Sequence, residues 1–354
     1  MTRHEIIVGT SSDMSVIATG SVDLIVTSPP YPMISMWDAV FCEQDPAVGE
    51  ALLGGDGMEA FRKMHRILDG TWKECDRVLA ENGFVCINIG DATRTIRDEF
   101  RLYPNHARII QTFMEMGYSV LPDIHWRKPS NAPNKFMGSG MYPAGAYVTY
   151  EHEYILVFRK GGKRHFNGAE RLVRQKSAYF WEERNEWFSD LWDIKGTPQT
   201  LAGTHSGRER NASYPLEIPY RLVNMYSVEG DTVLDPFAGL GTTGLACMIA
   251  NRNSIGYDID AEIARAALSN MDRGVDVLNA VIDSRLKRHL EFLEGLSDEE
   301  RSRCYRNTHY AFDVKTKQET AIKIDRLCQI RKTKSGFICR YDNSDSLQDG
   351  DFNT

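Results

Sequence analysis

The stretch Thr232-Val-Leu-Asp-Pro-Phe-Ala-Gly-Leu-Gly-Thr-Thr-Gly244 decides the fold class of this chain of 354 residues. Its first residues are apolar and β-branched, and Gly239, Gly241 and Gly244 then follow in the spacing GxGxxG before a helical segment. The next apolar run ends in Asp258, 19 residues after Gly239. A strand, a glycine loop, a helix and a second strand that ends in an acid are typical of an α/β sheet in which the acid binds ribose hydroxyls.

The rest of the chain repeats this alternation of strands and helices. Seven short apolar runs are predicted as strands: Ile6–Val8, Val22–Thr27, Phe84–Ile89, Ile124–Trp126, Tyr154–Phe158, Thr232–Leu234 and Ser254–Tyr257. The spacing of apolar residues predicts helices over Met58–Ala80, Ala107–Met116, Leu216–Tyr226, Thr243–Ala250 and Val275–Leu293. We therefore expect an α/β fold, with a sheet of about seven mainly parallel strands and helices on both faces.

Three segments interrupt the alternation and define the expected organisation. Residues 32–57 are predicted to form a long loop, and residues 159–210 are rich in basic and aromatic side chains. The acidic end of the chain, Tyr341–Thr354, is expected to be disordered. The predicted units are a catalytic half (1–158), an inserted region (159–210), a half with the glycine loop (211–272) and a C-terminal extension (273–354).

Composition narrows the class of protein further. Hydrophobic residues make up 42% and charged residues 26% of the chain, which excludes a disordered or fibrous protein. The seven cysteines are scattered without a C-x-x-C pair, so we expect neither disulfides nor zinc, and a cytoplasmic location. No run approaches the ~18 apolar residues of a membrane span. His152-Glu153 lacks the second histidine of an HExxH metal motif, since Leu156 occupies that position, and is interpreted as a structural pair.

Asp235-Pro236-Phe237, immediately before the glycines, bears on the choice of cofactor. A glycine loop alone fits a dinucleotide or another adenosyl cofactor, so a nicotinamide-dependent oxidoreductase is one alternative. An acid here would repel a pyrophosphate at the helix N-terminus, but it suits the ammonium and sulfonium groups of S-adenosylmethionine. The residues predicted to bind this cofactor are Asp235, Pro236, Phe237, Gly239, Gly241, Thr242, Thr243 and Asp258.

A second motif, Val22-Asp-Leu-Ile-Val-Thr-Ser-Pro-Pro-Tyr31, is an apolar strand that ends in Ser28-Pro29-Pro30-Tyr31. The two prolines remove backbone donors and stiffen the loop, so the Ser28 hydroxyl and the Pro29 carbonyl can accept hydrogen bonds from an amino group. Tyr31 offers an aromatic face on which a flat base can stack. Both motifs follow strands, and ligands of open α/β sheets bind at the carboxyl edge.

Thr27-Ser-Pro-Pro-Tyr31, followed later by Asp235-Pro-Phe-Ala-Gly-Leu-Gly-Thr-Thr243, resembles the β class of amino-methylating DNA methyltransferases, in which the catalytic motif precedes the cofactor motif. Trp72–Gly90, Trp126–Pro129, His152–Leu156 and Tyr214–Val223 resemble further blocks of that class. The resemblance implies a Rossmann-like methyltransferase sheet, S-adenosylmethionine as cofactor, site-specific binding to double-stranded DNA, a monomer or homodimer, and a separate cognate restriction endonuclease. Two stretches depart from the family pattern, Gly9-Thr10-Ser11 in place of a glycine and acid, and Arg210–Ser213 in place of a histidine-containing approach.

Ser28 resembles the residue of the members that methylate the exocyclic N4 of cytosine, because adenine-N6 enzymes more often carry a carboxylate or amide there. Adenine N6 remains the alternative. Carbon-5 methylation is disfavoured, since the chain has no Pro-Cys dipeptide. We expect the target base to leave the duplex, to stack on Tyr31, and to donate its amine hydrogens to Ser28 and Pro29 while Pro30 stiffens the loop.

The net charge of −7 hides a basic segment over residues 159–176. It contains Arg159, Lys160, Lys163, Arg164, Arg171, Arg174 and Lys176 against the single acid Glu170, and Tyr179, Phe180, Trp181, Trp187 and Trp192 follow. Basic residues bind phosphates and aromatic residues can fill the gap of a flipped base, so residues 160–210 are the expected target-recognition region. A solvated charged face is the alternative. Trp37 is a further candidate for contact with DNA or the flipped base, and Asp91 for the cofactor site or a loop cap.

Overall fold

The computed structural model describes residues 1–128, 137–196 and 214–342. Its strands are β1 (Thr2–Val8), β2 (Val22–Thr27), β3 (Leu79–Ile89), β4 (Ala92–Ile96), β5 (Glu99–Tyr103), β6 (Ser119–Arg127), β7 (Met137–Gly138), β8 (Ala146–Tyr147), β9 (His152–Arg159), β10 (Leu191–Asp193), β11 (Thr232–Asp235), β12 (Asn253–Asp258), β13 (Tyr305–Arg306), β14 (Asp313–Val314), β15 (Arg326–Lys332) and β16 (Gly336–Asp342). Its helices are α1 (Asp38–Gln44), α2 (Pro46–Gly54), α3 (Gly57–Val78), α4 (Asn105–Glu115), α5 (Gly168–Lys176), α6 (Trp181–Trp187), α7 (Glu217–Tyr226), α8 (Thr242–Ile249), α9 (Ala261–Met271), α10 (Val275–Glu294) and α11 (Asp298–Arg301).

The main sheet has the strand order β10-β6-β9-β3-β2-β11-β12-β1-β16-β15. The five central strands β3, β2, β11, β12 and β1 are parallel. Strand β9 runs antiparallel to both of its neighbours, and β16 runs antiparallel to β1 and β15. The expected α/β sheet of mainly parallel strands is confirmed, and it contains all seven predicted strands. Strands β10, β15 and β16 widen it at its two ends.

Helices cover both faces of the sheet, and the central strands are therefore apolar on both sides. On β2, Leu24 and Val26 belong to one core layer, while Val22 and Ile25 belong to the other. The first layer is filled from α7, α8 and α10, and the second from α3 and α4. This burial leaves the loops at the carboxyl edge of the parallel strands free to form a site.

The segment 32–57 is not the long loop that we predicted. It contains a short 3-10 helix over Ser35–Trp37, followed by α1 and α2. Asp45 caps α2 by accepting a hydrogen bond from the Ala47 amide at 3.0 Å, with Pro46 in the first turn. Gly55 ends that helix with a φ of 77°. The Asp45-Pro46 start signal and the Gly55 stop signal are both visible in the sequence. The helices of this segment are too short to show the helical spacing of apolar residues.

The C-terminal part packs against the sheet. Strand β16 pairs with β1, and Tyr341 donates a hydrogen bond to the Met248 carbonyl at 2.7 Å. Tyr341 and Asp342 are therefore strand residues, which corrects the expected start of the disordered tail. The rest of that tail lies outside the described residues, as do Pro129 and Arg210–Ser213. The buried pair of Arg285 and Glu183, with contacts of 2.6 and 2.8 Å, joins α10 to α6 of the inserted region.

The described helices include none that is long and apolar enough to cross a membrane. Within the same residues, no group of three or more His, Cys, Asp or Glu side chains is arranged to hold a metal ion.

Gly336 permits the pairing of β16 with β1. A Cβ atom there would lie 1.8 Å from the His4 carbonyl oxygen, so Gly336→Ala is expected to separate the two strands. We expect a loss of at least about 3 kcal/mol of unfolding free energy, as for other severe steric substitutions. Denaturant unfolding measures it, with Gly295→Ala as control, because that Cβ would meet its nearest atom only at 3.5 Å. Equal stability of both variants would contradict the pairing.

Two buried histidines predict acid sensitivity. His4 contacts only hydroxyl groups, those of Thr2 and Ser254, and burial lowers the pKa of both His4 and His65 to about 3. The unfolded chain takes up protons below its ordinary pKa of 6.5 while the folded chain does not, so stability falls as the pH falls through that value. Each histidine should remove about 2 kcal/mol between pH 7 and pH 5.

Urea unfolding at the two pH values measures this loss. His4→Gln should reduce the difference by the share of one histidine, whereas the exposed control His165→Gln should leave it as in the parent protein. An unchanged difference in His4→Gln would show that this ring does not cause it.

Candidate active site

The two sequence motifs meet at the carboxyl edge of neighbouring strands. Thr27, the last residue of β2, donates a hydrogen bond from its hydroxyl to Asp235 Oδ1 at the end of β11, over 2.7 Å. The buried Asp235 carboxylate also accepts from the Phe237 amide at 3.1 Å, from Thr243 Oγ1 at 2.7 Å and from Tyr214 OH at 3.4 Å. Burial raises the pKa of Asp235, and the hydrogen bonds from Thr27 and Thr243 oppose that rise. Asp235 therefore ties the catalytic strand to the glycine loop.

Direct contact of Asp235 with a cofactor stays a prediction. All four of its hydrogen bonds go to the protein, and Asp235 is not among the residues that line the adjacent cavity. Gly241, Thr242 and Thr243 are likewise not among those lining residues, and both threonines are buried. Gly241 has a φ of 73° and precedes α8, and a Cβ there would lie 2.8 Å from Met271 Sδ.

A cavity lies between the two motifs. Pro236, Phe237, Gly239 and Asp258 line one side, and Ser28 and Pro30 line the other. The remaining lining residues are Gly9, Thr10, Ser11, Trp37, Val40, Phe41, Gln44, Ile67, Leu68, Thr71, Leu240, Ile259 and Ile263. The segment Gly9-Thr10-Ser11 thus reaches the cavity although it departs from the family pattern. Trp37, predicted to contact DNA or the flipped base, is part of this wall.

The chemistry of the cavity fits an adenosyl cofactor. Phe237, Leu240 and Ile259 provide apolar surface for a flat ring. Asp258 lies at the end of β12, where Oδ2 accepts from the Gly239 amide at 3.1 Å and Oδ1 from the Asp260 amide at 2.9 Å. These bonds hold its carboxylate at the cavity wall, where the remaining lone pairs can accept from hydroxyl groups. Ser28, at the other side, brings the catalytic loop to the same space.

The catalytic loop belongs to a polar network. Ser28 Oγ lies 3.1 Å from Tyr31 OH, which donates to Glu153 Oε2 at 2.9 Å. Asn88 Nδ2 donates to Tyr31 OH at 2.8 Å and to Glu153 Oε2 at 2.7 Å. Lys128, at the end of β6, forms an ion pair with the other oxygen of Glu153. Burial and the Glu153 charge hold the pKa of Tyr31 well above its usual range, so Tyr31 stays protonated.

Glu153, Asn88 and Lys128 were not predicted as site residues. Glu153 was interpreted as a structural partner of His152, but the two side chains point to opposite faces of β9, and the His152 ring stacks on His125 with centroids 5.1 Å apart. A signal for the pair existed, because Asn88 interrupts the apolar run Phe84–Ile89 and Glu153 directly precedes the apolar run Tyr154–Phe158, both at the carboxyl edge of the sheet. Only their proximity in space shows that they act together.

Asp91 and Asp38 make structural contacts next to the site. Asp91 accepts hydrogen bonds from the His106 amide at 3.1 Å and from His106 Nδ1 at 2.8 Å, so it caps the start of α4. Asp38 binds Arg94 through two hydrogen bonds of 2.8 and 2.7 Å, which fastens α1 to β4. The second contact holds α1, which lines the cavity with Val40, Phe41 and Gln44.

The basic segment 159–176 begins at the opposite edge of the sheet. Arg164 pairs with Asp231 at 2.7 and 3.0 Å, just before β11, and with Asp23 near the start of β2. Lys176 pairs with Glu229 at 2.7 Å and also with Asp325. The charges of Arg164 and Lys176 are therefore neutralised inside the fold, at the amino edge. Lys163, Arg171 and Arg174 are exposed.

The aromatic residues after this segment do not form a wedge. Phe180, Trp187 and Trp192 are buried in the core. The Trp192 indole donates to the Trp187 carbonyl at 3.1 Å. They anchor the inserted region to α7 and α10, and only Trp181 among them is exposed.

Comparison with known proteins agrees with the two motifs. A family model described as DNA methylase, of the N6/N4 type, matches residues 22–269. The Type II methyltransferase M.MthZI of Methanothermobacter thermautotrophicus is 49% identical over 327 residues, which cover 91% of this chain and 90% of that protein. M.MjaI of Methanocaldococcus jannaschii is 49% identical over 278 residues, 74% of this chain and 89% of that protein.

Solved structures share the fold. TTHA0409 of Thermus thermophilus, in complex with S-adenosyl-L-methionine, has a TM-score of 0.59 and 29% identity, and the match covers 76% of this chain and 93% of that chain. The cytosine-N4-specific PvuII DNA methyltransferase has a TM-score of 0.50 at 15% identity, over 80% of this chain and 94% of that chain.

The fold and the cavity are therefore those of an S-adenosylmethionine-dependent methyltransferase. It belongs to the N6/N4 DNA methylase family.

Proposed function

We propose that the protein is a site-specific DNA methyltransferase that methylates the exocyclic N4 amine of cytosine as the modification enzyme of a restriction–modification system. The observation that carries the choice of base is the hydroxyl of Ser28 at the cavity, where a carboxylate or amide would favour adenine N6. The similarity to two proteins named as Type II methyltransferases supports the biological setting. A separate endonuclease then recognises the same sequence.

The catalytic groups act on a base that has left the duplex, because its amine cannot reach the cavity while stacked. The Ser28 hydroxyl and the Pro29 carbonyl accept hydrogen bonds from the amine. These acceptors draw its lone pair out of conjugation and stabilise the positive charge that develops on nitrogen. S-adenosylmethionine, when bound, supplies an electrophilic methyl group. Pro236, Phe237, Gly239 and Asp258 are the residues that would hold it.

The ring of Tyr31, which was expected to stack on the target base, is held by its neighbours. The ring lies close to Gly90, where a Cβ atom would be only 3.0 Å from Tyr31 Cε2. Its hydroxyl is held by Asn88 and Glu153. These neighbours restrict the orientation in which Tyr31 can stack on a base.

The DNA approaches the carboxyl edge in this proposal, because the Ser28 loop opens there. The chain that enters β9 lies at this edge, and on it Met141, Tyr142 and Val148 are 82%, 77% and 87% exposed. Exposed apolar side chains at this edge support contact with a base gap, as in other enzymes that distort DNA. Lys163, Arg171 and Arg174 could reach DNA only if the duplex also passes the amino edge.

Sequencing of single molecules of plasmid DNA tests the proposal. Unmethylated plasmid is incubated with the protein and S-adenosylmethionine, and a modified cytosine should recur at one short sequence. A plasmid without any modified base, or with modified adenine only, would overturn it. Ser28→Ala, treated identically, controls for methylation by a contaminating enzyme.

A further inference from the structure

A chain of hydroxyl groups leads from the Ser28 loop to a carboxylate, and the mechanism above does not use its far end. Ser28 Oγ lies 3.1 Å from Tyr31 OH, and Tyr31 OH lies 2.9 Å from Glu153 Oε2. Each step is a normal hydrogen bond. The Glu153 side chain is 13% exposed, so it lies within the protein but retains access to solvent.

The direction of every hydrogen bond in this chain follows from its two ends. Lys128 and Glu153 form an ion pair, and the carboxylate of an ion pair only accepts hydrogen bonds. The Asn88 amide must then present its NH2 group, which also donates to the Tyr31 oxygen at 2.8 Å. Tyr31 consequently donates its own proton to Glu153. Ser28 donates to Tyr31, and its lone pairs are left to accept from a substrate.

We propose that Glu153 is the final acceptor of the proton that the target amine releases, through the hydroxyl groups of Ser28 and Tyr31; this inference rests on the proposed methylation of an amine. The amine nitrogen forms a bond to the methyl carbon, and the bond from that carbon to sulfur breaks with its electron pair left on sulfur. One N–H bond of the amine breaks. Its proton moves to Ser28, the Ser28 proton to Tyr31, and the Tyr31 proton to Glu153.

Other groups near the loop do not serve as this acceptor. Within the described ranges, the ionisable side chains that contact Glu153 are Lys128 and Tyr31. Lys128 carries its full set of protons, and Tyr31 gives up its own proton as it receives one, so neither is the final acceptor. Asp235 is occupied by Thr27, Thr243, Tyr214 and the Phe237 amide. Glu153 is a positioning residue before transfer, because it orients Ser28, and a proton acceptor during it.

The test compares Glu153→Gln and Tyr31→Phe with the control Glu151→Gln. The control removes one carboxylate two residues away. Glu151 is 41% exposed, and its ion pair with Arg127 is long, at 3.9 Å. Single-turnover methylation of duplex DNA is measured from pH 5 to pH 9 with saturating S-adenosylmethionine. The control should react at the rate of the parent protein.

Both relay variants should be about 10- to 100-fold slower, since solvent must take the proton. The double variant should be no slower than either single variant, because both break one path. Cofactor binding by calorimetry and thermal unfolding should stay as in the control. An infrared band of a protonated carboxyl group should appear on single turnover in the parent protein and be absent in Glu153→Gln.

Tyr31→Phe keeps the inference testable where Glu153→Gln fails to fold, because it leaves the ion pair intact. A parent-like rate in either folded variant, additive losses in the double variant, or the same infrared band in Glu153→Gln would overturn the relay. The proposed function is judged separately, from the base that the parent protein modifies. Methylation of adenine would refute the cytosine assignment, while the comparison of variants would still decide the relay on that amine.

Discussion

Asp235→Asn is expected to reduce the rate of DNA methylation by about 100-fold or more. The carboxylate now accepts hydrogen bonds from Thr27, Thr243, Tyr214 and the Phe237 amide. The substitution replaces one of its oxygens with an NH2 group, which faces these donors and cannot accept from them. A misplacement of about 1 Å at a catalytic group can cost 100-fold, and Thr27 directly precedes Ser28. The same change should weaken cofactor binding, because Phe237 and Gly239 line the cavity.

Methylation kinetics and calorimetric titration with S-adenosylmethionine measure the two effects. The control is Asp13→Asn, the same chemical change at an exposed residue outside the cavity wall. Parent-like kinetics in Asp235→Asn would mean that the link between the two motifs is not needed for activity.

Ser28→Ala is expected to lower the single-turnover rate by about 10²- to 10³-fold, the effect of removing one preorganised group at a developing charge. The fold and cofactor affinity should be retained, because the Ser28 hydroxyl contacts only Tyr31 and, at 3.5 Å, Asn88. The exposed Ser15→Ala provides the matched control. Retained cofactor binding with unchanged turnover would refute the role of Ser28.

The sequence predicted those parts of the fold in which the local preference of the residues agrees with their burial in the folded protein. The run Thr232–Gly244 combines a strand, left-handed glycines and a helix start, and the structure has them in that order. The apolar strands were evident because helices bury them on both faces. The cavity residues Pro236, Phe237, Gly239 and Asp258 follow from the same motif.

The position of the basic segment could not be predicted in the same way. Charge along the chain shows that residues 159–176 are basic, but it does not show at which edge of the sheet they lie. Strand β9 runs antiparallel to β3, so the chain leaves it at the amino edge, away from Ser28. The residues that enter β9 lie at the carboxyl edge for the same reason.

The direction of the Asp235 carboxylate and the network around Glu153 also required the structure. The sequence predicts Asp235 at a strand end, and the structure has it there. Only its four hydrogen bonds show that the side chain is turned inward. Glu153 is 122 residues from Tyr31 along the chain, and their contact depends on the order of β9, β3 and β2 in the sheet.

The identity of the methylated nucleoside decides whether the protein methylates the N4 amine of cytosine. DNA is incubated with the protein and S-adenosylmethionine carrying a deuterated methyl group, digested to nucleosides and separated by chromatography with mass spectrometry. We expect labelled N4-methylcytosine, strongly reduced in Ser28→Ala. Label in N6-methyladenine alone would contradict the assignment of the base, and label in 5-methylcytosine or in no nucleoside would contradict amine methylation by the Ser28 loop.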